Sequence, residues 1–353
     1  MMDTHQLRQV LARFPRAELA HTPTPLEALT RLGARLGGPR LHVKRDDCTG
    51  LAMGGNKARQ LEFYFGDALD QGCDVVLITG AVQSNYMRMA AAAARKLGMQ
   101  CHLQLEHRVA DMPPEYHSSG NVLLYKLLGA TLHDYPEGED EAGADHRLHG
   151  IADALRRDGH RPYVIPLGAD SPPKGALGYV LAACEVVEQC RAANLTLDAV
   201  VVPSGSALTH AGLLVGLRAL GLRIPVIGAC VRRPASVQQT LVLDRAMTLA
   251  AMTGLDGAVG PDDVLVEDFC LGPGYGKVAA ETLEAIRLLG SVEGLLLDPV
   301  YSAKTFACLI GLIQGGRFAA DANVLAIHTG GTPALFAYHS ILDAAGADLG
   351  TGN

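Results

Sequence analysis

Apolar residues in this chain fall into two alternating kinds of run. Short stretches rich in Val, Ile and Leu, each bounded by Gly, Pro or charge, recur at Leu41–Lys44, Val75–Thr79, Cys101–Leu105, Tyr163–Pro166, Val200–Val202, Val226–Cys230 and Val324–His328. Between them lie longer stretches that read as helices: Asn56–Gln71, Asn85–Leu97, Gly175–Ala193, Thr209–Leu220, Val278–Leu289 and Ala303–Gln314. A strand apolar on both faces needs cover on both sides, and parallel neighbours need a long crossover between them. The alternation therefore predicts βαβ units, an α/β fold of parallel sheets with flanking helices. Pro136–Asp145, rich in Gly and acid, predicts an exposed loop.

Composition narrows the class. The 353 residues exceed the size at which single cores stop growing, about 250–300 residues, so two lobes are expected. With 48% apolar and 19% charged residues, the chain has ample material for a core. Lys and Arg number 30 against 37 Asp and Glu, a net charge of −7 that argues against a nucleic-acid surface. No apolar run approaches the ~20 residues of a membrane span. The opening stretch carries Asp3, Arg8, Arg13 and Arg16 and so lacks a secretory apolar segment. Cys48, Cys73, Cys101, Cys184, Cys190, Cys230, Cys270 and Cys308 form no CxxC pair and have no His at zinc spacing. They read as structural thiols of a cytoplasmic protein without a metal.

Four places put reactive or glycine residues where a strand gives way to a helix. Open α/β sheets bind ligands at that junction, because free helix N–H groups converge there. In Lys44–Gly50 followed by Gly54-Gly55-Asn56-Lys57, the glycines allow a tight backbone, Asn56 is placed to cap the next helix, and Lys57 falls in its first turn. The helix dipole repels a cation there. Lys57 is then either a solvated surface lysine or an amine kept neutral for covalent chemistry. Ser84 and Asn85 either cap a helix or turn their hydroxyl and amide toward a ligand. Pro203-Ser204-Gly205-Ser206-Ala207-Leu208-Thr209 leads from a strand into an apolar helix, a nest suited to one phosphate, with neither a Walker lysine nor a GxGxxG fingerprint. The last place comprises Asp298–Lys304 and His328–Pro333. A buried tyrosine such as Tyr301 commonly only packs, His328 reads first as structural, and Asp46-Asp47 reads as a charge pair answered by Arg45.

Together, KRDDCTGLAMGGNKARQLEF, QSN before an Ala-rich helix, SGSALTHAGL, LLLDPVYSAKT and HTGGTPALFAY stand in one order from about Phe14 to Tyr338. That set resembles the D-cysteine desulfhydrase and 1-aminocyclopropane-1-carboxylate deaminase family, pyridoxal-phosphate enzymes of the tryptophan-synthase-β fold type (fold type II). The resemblance implies two domains of open twisted parallel sheet: a large cofactor-binding one from 1–55 and 170–353, and a small one from 56–169. It also implies a homodimer. By the same likeness Lys57 binds pyridoxal 5′-phosphate covalently, while Ser204, Gly205, Ser206, Ala207, Leu208 and Thr209 cradle its phosphate. Asn85 contacts the pyridoxal 3′-oxygen and Ser84 lies beside the substrate carboxylate. Tyr301 and Tyr275 are the active-site tyrosines, and Ser302 and Thr329 bring neutral hydroxyls near the pyridine nitrogen. A neutral partner leaves the ring a weaker electron sink than a carboxylate would, which suits expulsion of a β-leaving group.

Three positions depart from the family pattern. Leu208 stands where desulfhydrases usually have glycine, which bears on the tightness of the phosphate cup. Ser302 stands where the deaminase branch has Glu, which counts against ring opening. Tyr86 follows the Ser-Asn pair where relatives commonly carry His, and a phenol is a poorer proton carrier at neutral pH. The expected activity is β-elimination from a small β-substituted amino acid, most simply D-cysteine to pyruvate, sulfide and ammonia. Lys57 removes the α-proton, and Tyr301 or Tyr275 helps the leaving group. L-Cysteate sulfo-lyase and 1-aminocyclopropane-1-carboxylate deaminase are the alternatives within the fold. A non-catalytic amino-acid-binding protein is the alternative outside it, and a nicotinamide dehydrogenase lacks its glycine fingerprint.

Overall fold

The computed structural model describes residues 2–166 and 171–347. Ten strands form in chain order: β1 (Leu26–Ala28), β2 (Arg40–Arg45), β3 (Val75–Ala81), β4 (Gln100–Glu106), β5 (Thr131–Tyr135), β6 (Pro162–Val164), β7 (Ala199–Ser204), β8 (Val226–Cys230), β9 (Leu265–Glu267) and β10 (Asn323–His328). They make a six-stranded sheet, β1-β2-β10-β7-β8-β9, and a four-stranded sheet, β5-β4-β3-β6. Every pairing is parallel except β1 with β2. β3, β7 and β8 are buried at every position, as unbroken apolar runs require of strands covered on both faces.

All seven expected strands and all six expected helices form. The helix expected from Gly175 begins as a tight turn at Lys174–Ala176 and continues as Leu177–Ala192. The unforeseen strands carry little apolar signal: β5 buries only Tyr135, and β1 buries nothing. Pro136–Asp145 is a loop only in its first half. Asp140 accepts the Gly143 N–H at 2.9 Å and starts the helix Glu141–Arg157, so the acidic run corrects to a capped helix start.

Between β2, the helix Lys57–Asp70 and the helix Leu177–Ala192 lies a buried ionic knot. Arg59 donates to both Asp46 oxygens at 2.9 and 3.0 Å and to both Glu185 oxygens at 2.7 and 2.8 Å. Lys44 reaches Glu185 at 3.1 Å, and the Tyr179 hydroxyl donates to Asp46 at 2.5 Å. Two cations balance two carboxylates, the condition under which charge persists in an interior. Asp47 pairs with Arg45 at 2.7 Å as expected, but Asp46 turns into the core and helps fix the first turn of the Lys57 helix.

No helix among the described residues is long and apolar enough to cross a membrane. Among those residues, no group of three or more His, Cys, Asp or Glu is placed to hold a metal ion. All eight cysteines are unpaired thiols.

Candidate active site

The carboxyl ends of β3, β4, β7, β8 and β10 open on one cleft, where parallel sheets place their ligands. Lys57, Ser84, Asn85, Gly205, Ser206, Ala207, Thr209, Tyr275, Tyr301 and Thr329 line it; Ser204, Leu208 and Ser302 do not.

Two loops lock together to place Lys57. The Asn56 N–H donates to the Thr329 carbonyl at 3.0 Å. Gly55 has φ +134°, and a Cβ there would stand 2.9 Å from Met89 Cε and 3.0 Å from the Thr329 oxygen, so no side chain fits. The Lys57 amine donates to Gln60 Oε1 at 3.3 Å and lies 5.0 Å from the centroid of the Tyr86 ring. Protein packed around it pulls its pKa down to about 8. Two further lysines are withdrawn from solvent, and both are engaged: Lys44 by Glu185 and the Thr24 carbonyl, Lys304 by the carbonyls of Leu271 and Gly274. Among the described residues, Lys57 is therefore the withdrawn amine free to meet an aldehyde. The Tyr86 hydroxyl is buried with no hydrogen-bond partner among those residues.

The helix Leu208–Ala219 starts at the cleft wall. Its first-turn N–H groups have no acceptor within the helix, and Ala207 at its cap is left-handed with φ +66°. Thr209 Oγ1 accepts from Asn56 Nδ2 at 2.9 Å and Gln60 Nε2 at 2.8 Å, which leaves its own proton to be donated outward. Asn56 stands at the N-cap position, but its backbone is already helical and its side chain makes no capping bond, its amide donating to Thr209 instead. One expectation for the nest is corrected. The Ser204 hydroxyl lies beneath the loop, held by Gln238 at 2.8 Å and His210 at 3.2 Å. The Leu208 side chain is buried in the core. The left-handed residue is Ala207, so Leu in place of Gly at 208 falls on ordinary helical backbone, and its N–H stays among the first-turn donors without an acceptor in the helix.

Across the cleft, the Tyr275 and Tyr301 hydroxyls stand 2.6 Å apart. Burial raises both pKa values. Tyr301 is held well above the ordinary phenol value, with Tyr275 beside it adding to the rise, whereas Tyr275 is eased by the bond to Tyr301 and by Arg108 and Arg232. Ser84 caps its helix, accepting the Met87 N–H at 3.3 Å, while still facing the cleft. Asn85 Oδ1 accepts from Arg88 at 2.8 Å and Asn121 at 3.0 Å, which leaves its amide hydrogens for an acceptor in the cleft. Ser302 is corrected. Its hydroxyl donates to Asp298 Oδ1 and accepts the Asp298 N–H, both at 2.7 Å, and so is closed off in the core. His328 is structural, its Nδ1 accepting the Gly330 N–H at 3.2 Å.

Sequence reasoning missed the charged mouth of the cleft. Arg108 pairs with buried Glu106 at 2.7 Å. Glu141 meets Arg232 at 2.5 Å and Arg233 at 3.1 Å, and Arg233 also donates to the Gly205 carbonyl at 3.2 Å. The available signal was charge placed at or just beyond the end of a buried strand, as in Glu106-His107-Arg108 at the end of β4 and Arg232-Arg233 shortly after β8.

A family model described as "Pyridoxal-phosphate dependent enzyme" matches residues 17–330. The D-cysteine desulfhydrases of Salmonella choleraesuis (strain SC-B67) and Salmonella typhi are each 44% identical over 329 residues, spanning 93% of this chain and 98% of the relative. The crystal structure of an ACC deaminase homologue superposes with a TM-score of 0.85 at 36% identity, covering 96% of this chain and 98% of that one. O-ureido-L-serine synthase, at 16% identity and a TM-score of 0.64 over 96% of this chain and 98% of that one, shares the fold alone.

Proposed function

Because this chain belongs to the pyridoxal-phosphate-dependent enzyme family, we propose that its cleft removes the β-substituent of a small amino acid, most simply taking D-cysteine to pyruvate, sulfide and ammonia. One observation carries the reading: a withdrawn amine, Lys57, with a pKa near 8 and no carboxylate on it, shares one cleft with the helix N-terminus at Gly205–Thr209 and with the paired hydroxyls of Tyr275 and Tyr301.

The residues present fit the cofactor. Lys57 would hold it covalently, Gly205, Ser206, Ala207 and Thr209 its phosphate, Asn85 its ring oxygen, and Thr329 would offer the neutral hydroxyl at the pyridine nitrogen. When bound, the cofactor draws electrons from the α-carbon of the amino acid. Ser84 and the helix N-terminus it caps hold the substrate carboxylate. The Lys57 amine, neutral once released, accepts the α-proton, and the Tyr86 ring face steadies the ammonium that results. Tyr275, the easier of the two phenols to deprotonate, gives its proton toward the leaving sulfur, with Tyr301 as its hydrogen-bonded neighbour.

A second reading, loss of sulfite from L-cysteate, is favoured by Arg108 and Arg232, two guanidinium groups beside Tyr275 that suit an anionic leaving group. We further propose a large part of residues 1–55 and 170–353 and a small part of 56–169. The four-stranded sheet falling wholly within 75–164 supports that division, although its boundary at 169/170 lies outside the described residues. Homodimeric assembly and a cytoplasmic setting belong to the same proposal, the unpaired thiols supporting a reducing compartment.

The test is a substrate panel read by product: sulfide from D-cysteine, sulfite from L-cysteate, 2-oxobutyrate from the cyclopropane amino acid. Lys57→Ala should lose both the cofactor's visible absorbance and turnover. Turnover retained with cofactor bound would end the assignment.

A further inference from the structure

Lys304 is fully buried in the first turn of the helix Ser302–Gln314, where the helix dipole opposes a cation, and no carboxylate lies within ion-pair distance of its amine among the described residues. Its amine donates to the carbonyl of Leu271 at 2.6 Å and to that of Gly274 at 2.7 Å. Both belong to the segment Cys270–Gly276, which carries Tyr275. Cys270 and Tyr275 pack at its two ends, but few backbone bonds hold the stretch between them, the Gly274 carbonyl also accepting the Lys277 N–H at 3.4 Å. Its N–H groups supply one firm backbone bond, Leu271 to Asp268 at 2.8 Å, and Gly274 has φ +130°, a conformation that packing does not enforce because nothing stands within 4 Å of where its Cβ would be. On the far side of Tyr275, the Tyr338 hydroxyl donates to the Gly276 carbonyl at 2.8 Å. The carbonyls of the residues on either side of Tyr275, Gly274 and Gly276, are thus each held by a side chain from elsewhere. Lys304 stands three residues after Tyr301, so one turn of helix connects the amine that grips the Tyr275 loop to the other tyrosine of the pair.

We propose that Lys304 is a positioning residue: by gripping two carbonyls of the loop ahead of Tyr275, it fixes the Tyr275 hydroxyl at 2.6 Å from that of Tyr301. Its pKa is pulled down to about 8 by burial, with Glu281, Asp298 and Cys270 the titratable groups facing it, and an ammonium so placed is retained for the carbonyls it holds. Lys304 touches neither substrate nor cofactor in this account and acts only through Tyr275. The inference rests on the tyrosine pair serving the reaction, so one of its measurements is made without cofactor or substrate.

The first measurement is hydrogen exchange on cofactor-free Lys304→Met. The Leu271 amide, the hydrogen-bonded N–H of that segment, should exchange at least about ten-fold faster than in the parent, with the strands of both sheets unchanged. The second is kinetic, on whichever substrate the product panel identifies. Lys304→Met should lower kcat about 10- to 100-fold, a partial loss of the ~100- to 10,000-fold that a well-placed general acid contributes, and leave KM within about two-fold. In the Tyr275→Phe background the same substitution should change kcat less than about two-fold, because two steps through one group do not add. If Lys304→Met does not fold, Lys304→Gln, which keeps two N–H donors at shorter reach, takes its place with a smaller loss expected in both measurements. Unchanged exchange at Leu271, or a full loss of kcat that persists in the Tyr275→Phe background, overturns the proposal. An inactive parent with the exchange result intact would instead count against the proposed reaction alone.

Discussion

The amine of Lys57 should be reactive before any cofactor binds, and by how much follows from its surroundings. Its pKa falls from 10.5 to about 8 because protein displaces the water that would solvate the ammonium, and no carboxylate compensates. Below that midpoint the group is an ammonium and inert; above it the lone pair is free. At about pH 7.5, about a quarter of the amine is neutral, against about one part in a thousand for an ordinary lysine, a gain of about 240-fold in reactive form. The assay is competitive labelling of cofactor-free protein with a trace of fluorodinitrobenzene across a pH series, read by peptide mapping. Lys57 should label with a midpoint near pH 8. Lys304, equally lowered but sealed from solvent, serves as the control that stays unlabelled. A Lys57 midpoint at or above about 10 would refute the desolvation argument.

Two smaller tests probe the scaffold. Ala207→Gly should stabilise the protein by about 0.5–1 kcal/mol in urea unfolding. A left-handed L-residue costs about 1–2 kcal/mol, and the looser unfolded chain of glycine takes back about half of that; a destabilised variant would show that the cup needs the methyl group. Asp46→Asn should cost about 3–5 kcal/mol by leaving Arg59 short of its counter-charge in the core; a loss below about 1 kcal/mol would mean that Glu185 alone balances it.

Strands with both faces covered were legible because burial imposes a continuous apolar run, as in Val200–Val202 and Val226–Cys230. Edge strands such as β1 were not, since their residues answer to one neighbour and to water. Lys57 and Thr209 could be singled out because each follows a glycine-containing turn at a strand-to-helix junction, whereas Tyr275 and Tyr301 were reached only through the family resemblance. What the pattern could not convey was side-chain direction. Ser204 and Ser302 sit in the right loops, yet their hydroxyls turn inward to His210 and Asp298. The same one-dimensional view paired Asp46 with Asp47, although the tight helical turn Asp46–Cys48 that follows β2 sends the two side chains in different directions and only Asp47 stays with Arg45. The charged mouth was hidden for a related reason, because Glu141 and Arg232 are distant in the chain and meet only across the cleft.

The order β1-β2-β10-β7-β8-β9 carries a consequence for biosynthesis. The slot between β2 and β7 is filled by the segment Asn323–His328, which leaves the ribosome roughly 120 residues after the end of β7. Throughout that interval the nascent sheet has two unzipped inner edges of strongly apolar sequence, the exposure that recruits chaperones and seeds aggregation. The loop that carries Thr329 arrives with the same strand, so the vitamin can be captured only after this central gap has closed.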